Sequence, residues 1–170
     1  LFAEQPDHPG LAHYIIHTFD SPKLAPNALA AAKRYAEIAP AAPHALHMPS
    51  HIFTRLGYWD ESIETNRRSA AAEPDSNAAV HPNDYMVYAY LQQGRDAEAL
   101  GVVRRLKIVD DRFYSGAIIG YNAVAMTARY SLERSAWADA AAVPVPPKAA
   151  PIFEAVARFT RAIGSARAGN

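Results

Sequence analysis

A turn signature recurs along this chain as Leu56-Gly57-x-Trp59-x-x-Ser62, Gln93-Gly94-x-Asp96-x-x-Ala99 and Arg134-Ser135-x-Trp137-x-x-Ala140. Counting from Ala28, the small residues stand 34, 37 and 41 positions apart, and Pro40 to Pro74 is again 34. Periods of this size belong to stacked units that bury a continuous core only against their neighbours. Between the turns, apolar residues fall at three- and four-residue steps, as in Leu29, Ala32, Tyr35 and Ile38 or Leu100, Val103 and Leu106. That is the stripe of an amphipathic helix. No strand-like alternation outlasts five residues, so the chain reads as all-α.

The units predicted are helical hairpins over about 9–40, 43–74, 80–111 and 115–142. Pro9 suits the first turn of the opening helix, and Pro40 and Pro74 each close a helical stretch. A proline-rich linker, 143–151, follows and breaks any helix. Beyond it, a terminal helix over 152–167 carries Phe153, Val156, Phe159 and Ile163 as its apolar stripe. The whole reads as one domain of 170 residues, long enough to bury a core without disulfides. A start at Leu1 and a terminal helix with no partner after it read as a segment of a longer protein. That helix has a face free for further repeats or for a second copy of the chain, a homo-oligomer.

At the turn and small-residue positions the chain resembles the tetratricopeptide repeat family, most closely where Phe53, Leu56-Gly57-x-Trp59, Ser62 and Pro74 follow the repeat's signature. The stretches around His8 to His17 and His44 to His51 also resemble bacterial repeat proteins of uncharacterised function. The resemblance implies an α-solenoid of antiparallel helix pairs, a superhelix to which the terminal helix is added. It also implies that the first helix of each pair lines a concave groove where protein or peptide segments bind. Carried over position by position, the groove holds His13 and His17, then His44, His47, His51 and Arg55, then His81, Asp84 and Tyr88, and finally Arg129.

Six of the seven histidines lie in two clusters, His8, His13 and His17, then His44, His47 and His51. His13 and His17, like His47 and His51, are four apart, which stacks their rings on one helical face. Zinc takes neutral imidazole at about 2.0–2.1 Å, and two such pairs supply four ligands; copper and nickel also suit imidazole. His13, His17, His47 and His51 are therefore the candidate metal ligands, for zinc or another divalent transition ion. An open position beside three ligands would hold a water, with Asp84 or Asp20 as base or outer partner.

Two function classes follow. The leading one is a non-enzymatic scaffold whose histidine-rich groove recognises a protein or peptide; the alternative is a metal-binding protein, extending to a metal-dependent hydrolase. No catalytic residue is assigned, since the His-Glu-x-x-His pattern of metalloproteases is absent. Clustered imidazoles also suit a pH sensor, because accumulating protons repel. Other polar residues have plainer roles. Ser50 reads as the small residue that allows close helix packing, Asp7 as favourable charge at a helix start, and Arg67-Arg68 and Arg104-Arg105 as solvated faces. Tyr85 and Tyr90 read as packing residues.

Seventeen lysines and arginines balance seventeen aspartates and glutamates, leaving no field to attract nucleic acid or an anionic membrane. The absence of cysteine removes disulfides, thiolate metal sites and cysteine nucleophiles, and leaves cytoplasm and periplasm equally open to a soluble chain.

Overall fold

The computed structural model describes residues 1–73, 79–106, 117–146 and 149–169, apart from the side chains of 117 and 118. Among the described residues the chain is helical throughout and forms no strand. The closing Pro74, the end of the third pair beyond 106 and the start of the fourth at Ser115 lie outside the described residues.

Helix α1 (Pro9–Phe19) begins with proline in its first turn. Its cap is His8, whose Nδ1 accepts from the Leu11 amide at 3.3 Å. Asp7, read as charge for the helix start, instead takes the Arg34 guanidinium at 2.5–2.9 Å. After a 3-10 turn (Ala25–Ala28) comes α2 (Leu29–Ile38). Its buried Ala31, Ala32 and Ala36 expose little bulk to a neighbour and allow close approach.

The single helix expected from His44 to Leu56 is two, α3 (Pro43–His47) and α4 (Pro49–Leu56). Pro49 has no amide hydrogen to donate, so the ladder breaks there. Met48 keeps helical angles, φ −52° and ψ −38°, and the chain continues in nearly the same direction. Gly57, at φ +75°, ends α4 in the left-handed conformation that glycine adopts without steric cost.

Helix α5 (Trp59–Ala72) packs against α3, α4 and the following α6 (Val80–Gln92) through a buried face of Ser62, Ile63, Thr65, Asn66 and Ser69. Helix α7 (Asp96–Arg104) follows Gly94, again at positive φ, and α8 (Ala117–Glu133) packs on α6. The next turn, before α9 (Trp137–Ala141), places Ser135 at φ +53°, where the two preceding turns have glycine.

The core runs as three adjoining clusters. Ile16, Met48 and Ile52 fill the first, between α1, α2 and α4. Met86, Val87, Val102 and Met126 join α6, α7 and α8. The third contains Val143 and Phe153 from either side of the proline-rich segment, with Val80 and Val124. The linker is thus anchored by Val143.

Helix α10 (Pro151–Ala168) lies on α8 and α9. Its buried positions are Phe153, Ala157, Thr160 and Gly164, whereas Phe159, expected inside, is 63% exposed. Size explains the rotation. A Cβ at Gly164 would overlap the backbone of Ala140 and Ala141, so α9 sits where only small residues fit. Thr160 is accommodated because its hydroxyl donates to the Val156 carbonyl at 2.8 Å.

Candidate metal centre

Six histidines from four helices meet in two groups of three, His13, His17 and His44, and His47, His51 and His81. In each group one ligand atom per residue lies within 4.8 Å of the others. Helix α1 supplies two rings of the outer group and α3 the third. The inner group takes His47 from α3, His51 from α4 and His81 from the start of α6. His17 and His44 are exposed, His13 is half-buried, and His47 is only 2% exposed.

The sequence predicts four ligands, His13, His17, His47 and His51. The structure divides those four, His13 with His17 and His47 with His51, and adds His44 to the first pair and His81 to the second, both of them groove positions in the sequence reading. His44 joins because α3 carries it one turn before His47 on the same side. His81 joins because α6 crosses beside α4, a proximity that no spacing within the chain encodes. His8 stands apart as the cap of α1.

Nitrogen geometry is specific. His13 Nε2 lies 3.1 Å from Nε2 of both His44 and His17, and His47 Nε2 lies 3.0 Å from His51 Nε2. Two imidazole nitrogens sharing one ion at about 2.0–2.1 Å, with a tetrahedral angle between them, are about 3.3–3.4 Å apart. The observed pairs fall just inside that separation.

The outward nitrogens decide where the protons are. Asn66 Nδ2 donates to the Ser62 carbonyl at 2.7 Å, which turns Asn66 Oδ1 toward His47 Nδ1 at 2.6 Å. An amide oxygen only accepts, so His47 carries its proton on Nδ1. His51 Nδ1 likewise donates to Asp20 Oδ2 at 2.9 Å, with the Tyr85 hydroxyl 3.1 Å away. Arg55 Nε donates to the other carboxylate oxygen, Asp20 Oδ1, at 2.8 Å. The hydrogen bond from His51, supported by Arg55, holds the Asp20 carboxyl down to about 2. His47, protonated on Nδ1, therefore turns a bare Nε2 toward His51 Nε2 at 3.0 Å. Two ring nitrogens at that distance share a cation, either a proton or a metal ion.

His81 adds a third open nitrogen. The Asn122 side chain hydrogen-bonds its ring, while His81 Nδ1 is buried with no hydrogen-bond partner among the described residues. For His47 and His51, an outer oxygen on Nδ1 with Nε2 turned inward is the pattern of metal-ligating histidine. Burial pushes His47 down to about 2, helped by His51 and His81, and also lowers His13, His44 and His81. Those four rings stay neutral, the form that ligates metal.

The remaining groove residues lie farther along. A cavity of about 580 Å³ is lined by His81 and Tyr85 at one end and by Arg55, Asp84, Tyr88 and Arg129 beyond them. Asp84 and Arg129 form an ion pair there, and the Arg129 guanidinium lies 5.3 Å from the centre of the Tyr88 ring. Burial raises the Asp84 carboxyl despite Arg129 beside it.

Asn66, Asn122 and Tyr85 were not read as site residues. Tyr85 instead sits with its ring centre 5.0–5.3 Å from those of His51, His47 and His81. Asn66 had a signal in the sequence, since it shares the packing face of α5 with Ser62 and Ser69, and a buried amide needs partners. Ser50, expected as a packing residue, is fully buried and also donates to Asn66 Oδ1 at 3.3 Å.

No family model, curated protein or solved structure matches this chain.

Proposed function

We propose that this chain is a metal-binding protein, its two histidine triads each accepting a first-row transition ion from the zinc, copper and nickel group. The observation that carries this reading is the pair of Nε2 atoms of His47 and His51 facing each other at 3.0 Å, their rings oriented by Asn66 and Asp20. An all-imidazole donor set suits those metals and disfavours magnesium and calcium, which need oxygen ligands. Asp20 acts as the outer partner of His51 rather than as a base, since His51 and Arg55 each take one of its oxygens. In this reading the helices form a solenoid of antiparallel pairs of the tetratricopeptide type, with Gly57, Gly94 and Ser135 as equivalent turn positions.

A second reading, recognition of a protein or peptide segment, is favoured by the cavity beside the triads, with Tyr88 and the Asp84–Arg129 pair on its wall. No helix among the described residues is long and apolar enough to cross a membrane.

Elemental analysis of protein purified without chelator or nickel resin, then loaded with zinc or copper, tests the first reading. Stoichiometric metal and a raised melting temperature are expected. Protein that retains no transition metal and shows no thermal shift with zinc, copper or nickel overturns it. Peptide-array binding that is unchanged after joint alteration of His47, His51 and Tyr88 overturns the second.

A further inference from the structure

We infer that the two triads form one dinuclear copper centre, in which a small oxyanion such as carbonate bridges the two ions. The inference rests on the metal-binding reading above and adds to it the identity of the metal, its number and the coupling.

The six rings form a closed circuit. From His13 to His17 the ring centres are 4.6 Å apart, and from His17 to His51 6.1 Å. The circuit continues from His51 to His81 at 6.1 Å, from His81 to His47 at 4.5 Å, from His47 to His44 at 6.4 Å and from His44 back to His13 at 5.1 Å. The two steps that cross between triads are thus about as short as the His51 to His81 step inside the inner triad. No layer of other side chains separates the groups along this circuit.

Helix α3 ties the triads together directly. His44 serves the outer triad and His47 the inner one, three residues later, a rise of about 4.5 Å along a helix. Ions held one per triad at about that separation are within the span of a two- or three-atom bridge.

The donor set selects the metal and the bridge. Six imidazoles give each ion three nitrogen ligands and leave a coordination position open. Asp20, the carboxylate bonded to the inner triad, gives Oδ2 to His51 and Oδ1 to Arg55. Three imidazoles with an open position hold zinc in catalytic sites as well as copper, so the choice between them rests on affinity. Among divalent ions an all-nitrogen site favours copper most strongly. Two divalent ions among neutral rings also leave excess positive charge, which an anion between them offsets. The cavity reaches His81 and Tyr85, giving such a ligand an approach from the inner side.

Loading the full chain with copper(II), followed by metal analysis and electron paramagnetic resonance, tests the inference. The expected result is two copper ions per chain with a spin count well below the bound copper, since a bridged pair couples its unpaired electrons. The exposed His17→Ala variant, chosen because it leaves the core intact, should bind one copper and recover its full single-ion signal. Two ions giving full two-spin intensity, or saturation at one ion in the unaltered chain, overturns the dinuclear centre while leaving metal binding in place. Absence of bound copper overturns the copper centre, and the metal-binding reading falls with it only if zinc and nickel are refused as well.

Discussion

His51 Nδ1 donates to Asp20 Oδ2 at 2.9 Å, joining α4 to the end of α1 across 31 residues of sequence. The bond fixes the ring so that Nε2 turns to His47, and Arg55 fixes the carboxylate in turn. Asp20→Asn keeps an acceptor but removes the charge that makes His51 a stronger ligand. The expected outcome is metal affinity about 10- to 100-fold weaker with little change in fold. Competition against a chromophoric chelator measures it, and unchanged affinity would detach Asp20 from the site.

Asn66→Ala tests the inner tautomer. The change leaves the buried His47 Nδ1 proton without its partner, while the Ser62 carbonyl keeps the Thr65 hydroxyl at 3.2 Å. A loss of about 1–3 kcal/mol in stability is expected from the unsatisfied group, read by urea denaturation of metal-free protein. Metal affinity should fall as well, because the ring is then free to place its proton on Nε2. A variant as stable as the parent would refute the assignment.

Acid should weaken the metal-free fold. His13, His44, His47 and His81 are all lowered from the usual histidine value of about 6.5, chiefly by burial. The unfolded chain then binds more protons below that pH, so their contribution is complete above about 6.5 and is lost as pH falls. Buried His47 alone removes about 1.4 kcal/mol for each pH unit below 6.5. Asp20, held down to about 2, adds a loss in the same direction between its ordinary 3.8 and that value. The urea midpoint should decline from pH 7 to pH 5, less steeply in His47→Gln. A flat profile would contradict the burial of these rings.

Gly164→Ala should cost about 1–3 kcal/mol by overpacking. The added methyl meets the backbone of Ala140 and Ala141, which cannot rotate away as a side chain does. Thermal denaturation shows the loss, and a neutral substitution would mean that α9 and α10 do not touch there.

Ser135→Gly should have the opposite sign. Serine at φ +53° is in a left-handed conformation that costs about 1 kcal/mol. Glycine relieves it, and the melting temperature should rise by about 2–4 °C for a chain of this size. A decrease would show that the serine side chain contributes more than the strain it carries.

The helices were legible because their signals are local. Period, proline and glycine placed α1, α5 and α10 to within a few residues, and Gly57 and Gly94 marked turns that do adopt positive φ. Pro49 was also visible, yet its division of the second unit's first helix into α3 and α4 was not anticipated. On α10 the largest apolar residues suggested the buried stripe, but helices pack by shape, and Gly164 chose the face instead.

All six metal-ligand candidates were already among the groove residues, since four-residue spacing puts His13 with His17 and His47 with His51 on common faces. Their division into triads was not encoded in that spacing. His44 and His47 belong to one short helix but to different groups, and His81 arrives from α6 after 30 further residues. Asn66 and Asp20, which set the protons, come from elements whose patterns mark only packing and a helix end.

The sequence by itself determined which faces of which helices carry imidazole, because side-chain direction along a helix follows from backbone periodicity alone. Only the tertiary structure decided which nitrogens meet and which are protonated. Those outcomes depend on helix crossings and on hydrogen bonds between residues far apart in the chain, where packing of the whole core sets the distance.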